Sequence, residues 1–408
     1  MSIELEFTSL AFGGDAIGKT PDGMTVFVPF GLPGETVSVE ITQQKKNYCN
    51  ARLLEVLNPS PQRIAPRCPH FTVCGGCQYQ HMPYEKQLEA KQSIFSDQLK
   101  RLARLENPKV LPIQPSPNTW NYRNALQFHL SPAGKLGFQA AGSRRVVEIS
   151  ECHLPIQEIN AVWKQIKFEP GMPIERVELR EGTDGEILME IESAQPDLPE
   201  LNLDASISVV HTSPVGTTIL AGDDFVHQQV RGRNFIVSAG SFFQVNTPQA
   251  EAMVSEVLSL LPLKPAELVM DLYSGVGLFS AFLAPLTKKL VAIESAPSAC
   301  DDFAENLDEF DNVKLYTGTA EQILPALDMK PDVVVVDPPR AGLAPAVTDA
   351  LLRMQPSQII YVSCDPATLA RDVHRMVQDG YEFVQAHPFD MFPQTGHIES
   401  ISLLQKRD

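Results

Sequence analysis

Glu267-Leu268-Val269-Met270-Asp271-Leu272-Tyr273-Ser274-Gly275-Val276-Gly277 is a β-prone run that reaches a carboxylate and then turns through two glycines. Glycines at such a turn let the backbone approach a ligand before the next helix begins. The next strand-like run ends at Glu294, about 20 residues on, where an acidic side chain receives ribose hydroxyls in nucleotide-type folds. Together the two features point to an adenosine-containing ligand. Ser280 lies three residues beyond Gly277, and the third glycine of a dinucleotide fingerprint is missing. A pyrophosphate therefore has less reason to sit here, and S-adenosylmethionine is favoured over NAD.

The same pattern extends outward from this turn. Strand-like runs end at Asp271, Glu294, Tyr316, Asp337 and Ser363, each followed by a helical segment, and residues 381–388 and 398–405 supply two more strands. This alternation predicts an α/β fold in which residues 241–408 form a doubly wound, mostly parallel, Rossmann-like sheet with ligands beyond the carboxyl ends of its strands. Residues 1–58 read differently, as short β-rich stretches at 3–10, 24–29, 36–41 and 51–56 separated by Gly-, Pro- and Asp-containing turns. They predict a small closed barrel of the oligonucleotide-binding type. Residues 59–240 are expected to form a mixed α+β central domain. It opens with a proline-rich linker and a cysteine cluster, followed by an amphipathic helix marked by Tyr84, Leu88, Phe95, Leu99 and Leu102.

The chemistry-bearing motifs of the last third fall at strand ends. Asp337-Pro338-Pro339-Arg340 makes a rigid extended turn that can present an aspartate and carbonyls to a planar base. Tyr361-Val362-Ser363-Cys364-Asp365-Pro366 brings Cys364 to the same edge. There it is either buried filler or a nucleophile near a helix start that favours thiolate, and spacing does not choose. Gly396-His397-Ile398-Glu399 places a histidine and a carboxylate side by side at the start of the last strand. A general base is required there if carbon is to accept a methyl group. Cys68, Cys74 and Cys77 form Cys-x5-Cys-x2-Cys, and Cys152 can supply a fourth ligand from a distant segment. Three close thiols indicate a metal site, with structural zinc and an iron-sulfur cluster both compatible with the spacing. Cys49 and Cys300 read as structural.

A formal charge of −17 argues against a generic nucleic-acid coat, because phosphate contacts need Lys and Arg. Charge is unevenly spread, however: from Arg63 to Arg145 twelve basic residues stand against four acidic ones. That tract is either a polyanion-binding face or a solvated helix face, and Arg123, Arg144 and Arg145 are its candidates for RNA contact. The chain opens Met-Ser-Ile-Glu-Leu-Glu, without the basic start and apolar stretch of a secretory signal, and has no apolar run long enough to span a bilayer. A cytoplasmic protein is expected, whose seven cysteines are not a disulfide scaffold.

Taken together, the motifs resemble the RNA uracil-C5 methyltransferases, in particular the branch with an amino-terminal TRAM barrel and a [4Fe-4S] cluster that modifies 23S ribosomal RNA. The resemblance runs over nearly the whole chain. It is carried by Leu32-Pro33-Gly34-Glu35, by Cys68-Pro69-His70-Phe71 through Cys74-Gly75-Gly76-Cys77-Gln78-Tyr79-Gln80-His81, and by Tyr122-Arg123-Asn124 and Ser241-Phe242-Phe243-Gln244-Val245-Asn246, besides the strand-end motifs already quoted. It implies that Cys68, Cys74, Cys77 and Cys152 hold the cluster, with a structural or RNA-positioning role and no redox step. It further implies that Gln244, Tyr273, Glu294 and Asp337 contact S-adenosylmethionine, that Cys364 is the nucleophile and that Glu399 is the base. Leu278 departs from relatives that carry a donor-contacting Asn there. A target uridine has to be single-stranded or flipped, with Phe242 and Phe243 as candidate stacking platforms against a core-packing alternative. Transfer RNA is the alternative substrate. A non-catalytic RNA-binding assembly factor and an iron-sulfur redox enzyme are the competing classes.

Overall fold

A computed structural model describes residues 2–196 and 207–407. The carboxy-terminal sheet has seven strands in the order Val313–Thr317, Thr287–Glu294, Ala266–Leu272, Val333–Val336, Gln358–Ser363, Glu399–Lys406 and Tyr381–Phe389. The first five are mutually parallel, and Glu399–Lys406 is antiparallel to both of its neighbours. The doubly wound sheet expected from the alternation is present, its strand ends falling within a residue or two of those read from the sequence. Four valines at 333–336 are almost completely buried, as a central parallel strand covered on both faces requires.

Two hydrophobic cores sandwich this sheet, and segments from upstream of residue 241 complete both. One core takes Val226, Val230, Phe235 and Val237 from the hairpin Phe225–Val230/Arg233–Ser238. The other takes Ile94, Phe95 and Leu99 from the helix Tyr84–Arg101. Phe95 and Leu99 of the stripe read from the sequence are buried and Tyr84 and Leu88 half-buried, but Leu102 is 43% exposed and the inward face also takes Gln87 and Lys91. Buried partners on the carboxy-terminal loop offset the cost of that placement, and a hydropathy pattern cannot show them.

Ser2–Leu10, Ala16–Lys19, Thr25–Val28, Thr36–Gln44 and Tyr48–Asn58 close into the expected amino-terminal barrel. Ala16–Lys19 was hidden within a turn-rich stretch, and its Gly18 lies where a Cβ would meet Leu5 at 2.6 Å. The middle of the chain builds a second seven-stranded sheet around Phe128, Trp163, Val177, Leu179 and Met189. Among the described residues no helix is long and apolar enough to cross a membrane.

Candidate active site

Strand register gathers the donor-side candidates. Leu272 lies level with Ile293 on one side and Val336 on the other, so Tyr273, Glu294 and Asp337 leave three adjacent strands together. The Glu294 carboxylate accepts hydrogen bonds from the backbone N–H groups of Gly275 (2.8 Å), Ser295 (2.6 Å) and Ala296 (2.8 Å). It thereby fastens the glycine turn to the neighbouring strand end. Gly277 has φ +90, and a Cβ there would lie 2.4 Å from Leu307 Cδ1. At Gly275, by contrast, a Cβ meets nothing within 4 Å, which leaves open space above the turn for a ligand. Ser280 donates a 2.6 Å hydrogen bond to the fully buried Asp271, whose carboxyl is pushed up to about 7, chiefly by burial. Tyr273 itself adopts a left-handed backbone, φ +62, and directs its hydroxyl to Glu321 at 3.3 Å.

Gln244 is buried in the segment leading into the helix Thr247–Ser259, and its carbonyl accepts from Asn124 Nδ2. In the same segment Phe243 packs in the core while Phe242 is 68% exposed. Leu278, at the departure from the family pattern, is buried as the first residue of the helix Leu278–Leu283.

The candidate nucleophile and base are related by an antiparallel register. Ser363 is level with Ser400, so continuing the register one position outward brings Cys364, just past its strand, level with Glu399, whose charge acts on the Cys364 thiol. Asp365 caps the following helix, accepting from the N–H groups of Ala367 and Thr368, which holds Cys364 on the short link between strand and helix. Burial, then the charges of Glu399 and Asp337, push the Cys364 thiol up to about 12 against the pull of Arg340. Burial and Asp337 likewise raise Glu399 well above the usual carboxylate range, and Asp337 is pushed up to about 7 by burial and Asp271. The free site thus sets a thiol against carboxyls whose charged forms burial disfavours, with Arg340 as the cation acting on both Cys364 and Glu399.

Cys68, Cys74, Cys77 and Cys152 line one cavity of about 300 Å³ together with Gly75, Gly76, Arg123 and His397. Burial chiefly, with the neighbouring cysteines adding to it, lifts the thiols, Cys77 to about 12 and Cys152 to about 11. Four such thiols around one void fit a thiolate-ligated metal group, whose binding releases their protons.

The basic tract divides once folded. Lys91 is buried against Asp390, Arg63 is paired with the buried Glu35, and Arg123 lies over Phe392 beside the cysteine cavity. Arg144 and Arg145 remain exposed. His397 and Glu399 have different surroundings: the histidine lines the cysteine cavity and packs edge-on against Phe392, whereas Glu399 comes level with Cys364. Sequence reading missed Gln87, Lys91 and Gln394, which hold the loop before Glu399. Polar residues at 87 and 91, in helical register with Ile94 and Phe95, were the available signal.

A model of the tRNA (uracil-5-)-methyltransferase family matches residues 191–407, just over half of the chain. The chain belongs to this family. A TRAM domain model matches residues 2–54. An uncharacterized RNA methyltransferase of Halalkalibacterium halodurans is 33% identical over all of this chain and 97% of its own length. One from Porphyromonas gingivalis is 32% identical over 98% of this chain and 99% of its own. Among solved structures, the tRNA (uracil-54, C5)-methyltransferase of Pyrococcus abyssi in complex with S-adenosyl-L-homocysteine has a TM-score of 0.75 and 25% identity, covering 98% of this chain and 100% of that one. The family expected from the motifs is the one found: the protein is an S-adenosylmethionine-dependent RNA uracil-5 methyltransferase with an amino-terminal TRAM barrel.

Proposed function

We propose that this protein makes 5-methyluridine in 23S ribosomal RNA in the cytoplasm, with Cys364 as nucleophile and Glu399 as base. The observation that carries the reading is the register that sets Cys364 opposite Glu399 at the edge where Asp337, Tyr273 and Glu294 also end. Uracil C5 is a poor carbon nucleophile. Addition of Cys364 Sγ to C6, with loss of the thiol proton, moves the C5–C6 electron pair toward O4 and makes C5 an enolate carbon. S-adenosylmethionine supplies the electrophilic methyl group at that carbon. Glu399, as the carboxylate, then removes the C5 proton, the double bond re-forms and the S–C6 bond breaks. Arg340 and a cationic donor at the same edge both favour the deprotonated forms that burial opposes in the free protein. Gln244, Tyr273, Glu294 and Asp337 hold the donor in this reading. Phe242, exposed two residues before Gln244, is the candidate for stacking on an extruded base.

Cys68, Cys74, Cys77 and Cys152 hold a [4Fe-4S] cluster in the same reading, supported by the four thiols lining one cavity of about 300 Å³. Its part is structural. A second substrate reading, the T-loop uridine of transfer RNA, is favoured by the full-length likeness to the Pyrococcus abyssi enzyme.

The test supplies purified protein and S-adenosylmethionine with uracil-5-tritiated 23S ribosomal RNA and transfer RNA transcripts in separate tubes and counts tritium released to water. Release from the ribosomal transcript that vanishes with Cys364→Ala is the expected result. Release from transfer RNA alone transfers the assignment to the second reading, and release that survives Cys364→Ala overturns the mechanism.

A further inference from the structure

We propose that Gln394 is a positioning residue for the Glu399 base, held by Gln87 of the helix Tyr84–Arg101 and by the turn that follows Cys77, while Lys91 of the same helix holds Asp390 and Phe392 of the same loop. The inference rests on Glu399 acting as the base. Phe389 and Glu399 are paired across the last two strands, so residues 390–398 form a loop whose closing position is the base itself. A loop of this length has no ladder of its own to fix its path, and the path sets how Glu399 enters the site.

The fixing comes from outside the loop. Gln394 is buried and sits in the left-handed region, φ +71, where a residue other than glycine persists only when its surroundings over-determine it. Its N–H donates to Gln87 Oε1 at 2.9 Å and its side-chain oxygen accepts from Gln87 Nε2 at 2.9 Å. Its carbonyl accepts from the N–H groups of Gln78 and Tyr79, both at 3.0 Å, directly after Cys77. Lys91, also buried, donates to Asp390 Oδ1 at 2.5 Å and to the Phe392 carbonyl at 3.0 Å. Tyr122 holds the Pro393 carbonyl, and Gln78 Oε1 accepts from the Gly396 N–H at 3.1 Å.

Burying a lysine and two glutamines is unfavourable unless each polar group is matched, and apolar residues would pack the same interface without that cost. What matched polar groups add is a single allowed path. Here the path runs between the cysteine cavity, which His397 lines, and the base. These residues act through the loop and not on the reacting atoms.

The chemistry separates positioning from general support. Thiol addition at C6 and methyl transfer to C5 come before proton removal. A misplaced Glu399 therefore leaves C5 bearing both methyl and proton, with the S–C6 bond intact, and the enzyme stays covalently attached to its RNA. Gln394→Gly accepts φ +71 without strain and loses the side-chain bond from Gln87 Nε2, whereas Gln87→Leu removes both bonds from the helix side. Each variant, with wild type and Glu399→Gln alongside, is given S-adenosylmethionine and the tritiated transcript that wild type methylates. Tritium release, denaturant-stable protein–RNA adduct and donor affinity are then measured. We expect release to slow and adduct to rise by about tenfold each, the scale of a sub-ångström misplacement, with donor affinity within about twofold of wild type. Loss of release without adduct in both variants, while Glu399→Gln accumulates it, overturns the positioning role and leaves the base in place. Absence of adduct in Glu399→Gln itself overturns the base assignment and the proposal with it.

Discussion

In the proposed mechanism Cys364 has to be both protected and reactive, and its surroundings lean toward protection. Burial and the nearby carboxylates push its thiol up to about 12, so the thiolate fraction in the free protein is small at neutral pH and grows as pH rises. Alkylation of Cys364 by iodoacetamide, followed by peptide mass mapping, should accelerate about tenfold per pH unit from about pH 7 to about pH 9 without a plateau, since the thiolate is the reacting form. Asp337→Asn removes one of the charges that raise the thiol, so its curve should lie at lower pH. A plateau below about pH 8, or coincident curves for the two proteins, refutes this account of the thiol. Glu399 obeys the same physics, raised by burial and Asp337 and pulled down by Arg340.

At the scale of elements, the turn after Ala266–Leu272 combines two glycines with different work. A side chain at Gly277 would press on Leu307 and Phe303 from a left-handed backbone, so Gly277→Ala is expected to cost roughly 3 kcal/mol of stability from strain and overpacking together. Gly275 has φ +54 but open space around it, so Gly275→Ala should cost only about 1 kcal/mol. The second variant should remain folded yet bind S-adenosylmethionine more weakly, because its methyl group occupies the ligand's approach. Urea unfolding and donor titration by calorimetry separate the two. Equal stability losses, or donor binding unchanged in Gly275→Ala, would falsify the division of labour. The helix Tyr84–Arg101 shows the complementary case, an element whose buried face carries polar residues because it supports a loop as well as a core.

Across the whole molecule, an acidic chain presents limited basic surface to RNA. Lys91, Arg63 and Arg123 are committed internally, whereas Arg144 and Arg145 are exposed on the turn between Leu136–Gln139 and Val146–Glu148. Replacing both exposed arginines by alanine should weaken RNA binding and reduce the slope of log affinity against log salt by about one for each phosphate that the variant no longer neutralises. An unchanged slope in filter-binding titrations would mean that the RNA lies elsewhere. The α/β architecture of the last third is legible in the order of amino acids, because alternating strands and helices leave a periodic trace. So are the strand-end glycines and carboxylates and, through resemblance, the family. The cysteine motif reads as a metal site without choosing the metal. Which side chains share a site is a different matter, settled by the folded chain: Cys364 and Glu399 are 35 positions apart and become neighbours through an antiparallel pairing that no local pattern encodes. The fold alone also puts Gln87, Lys91 and Gln394 inside, because burial of a polar group is settled by its partner, and these partners lie about 300 residues away along the chain.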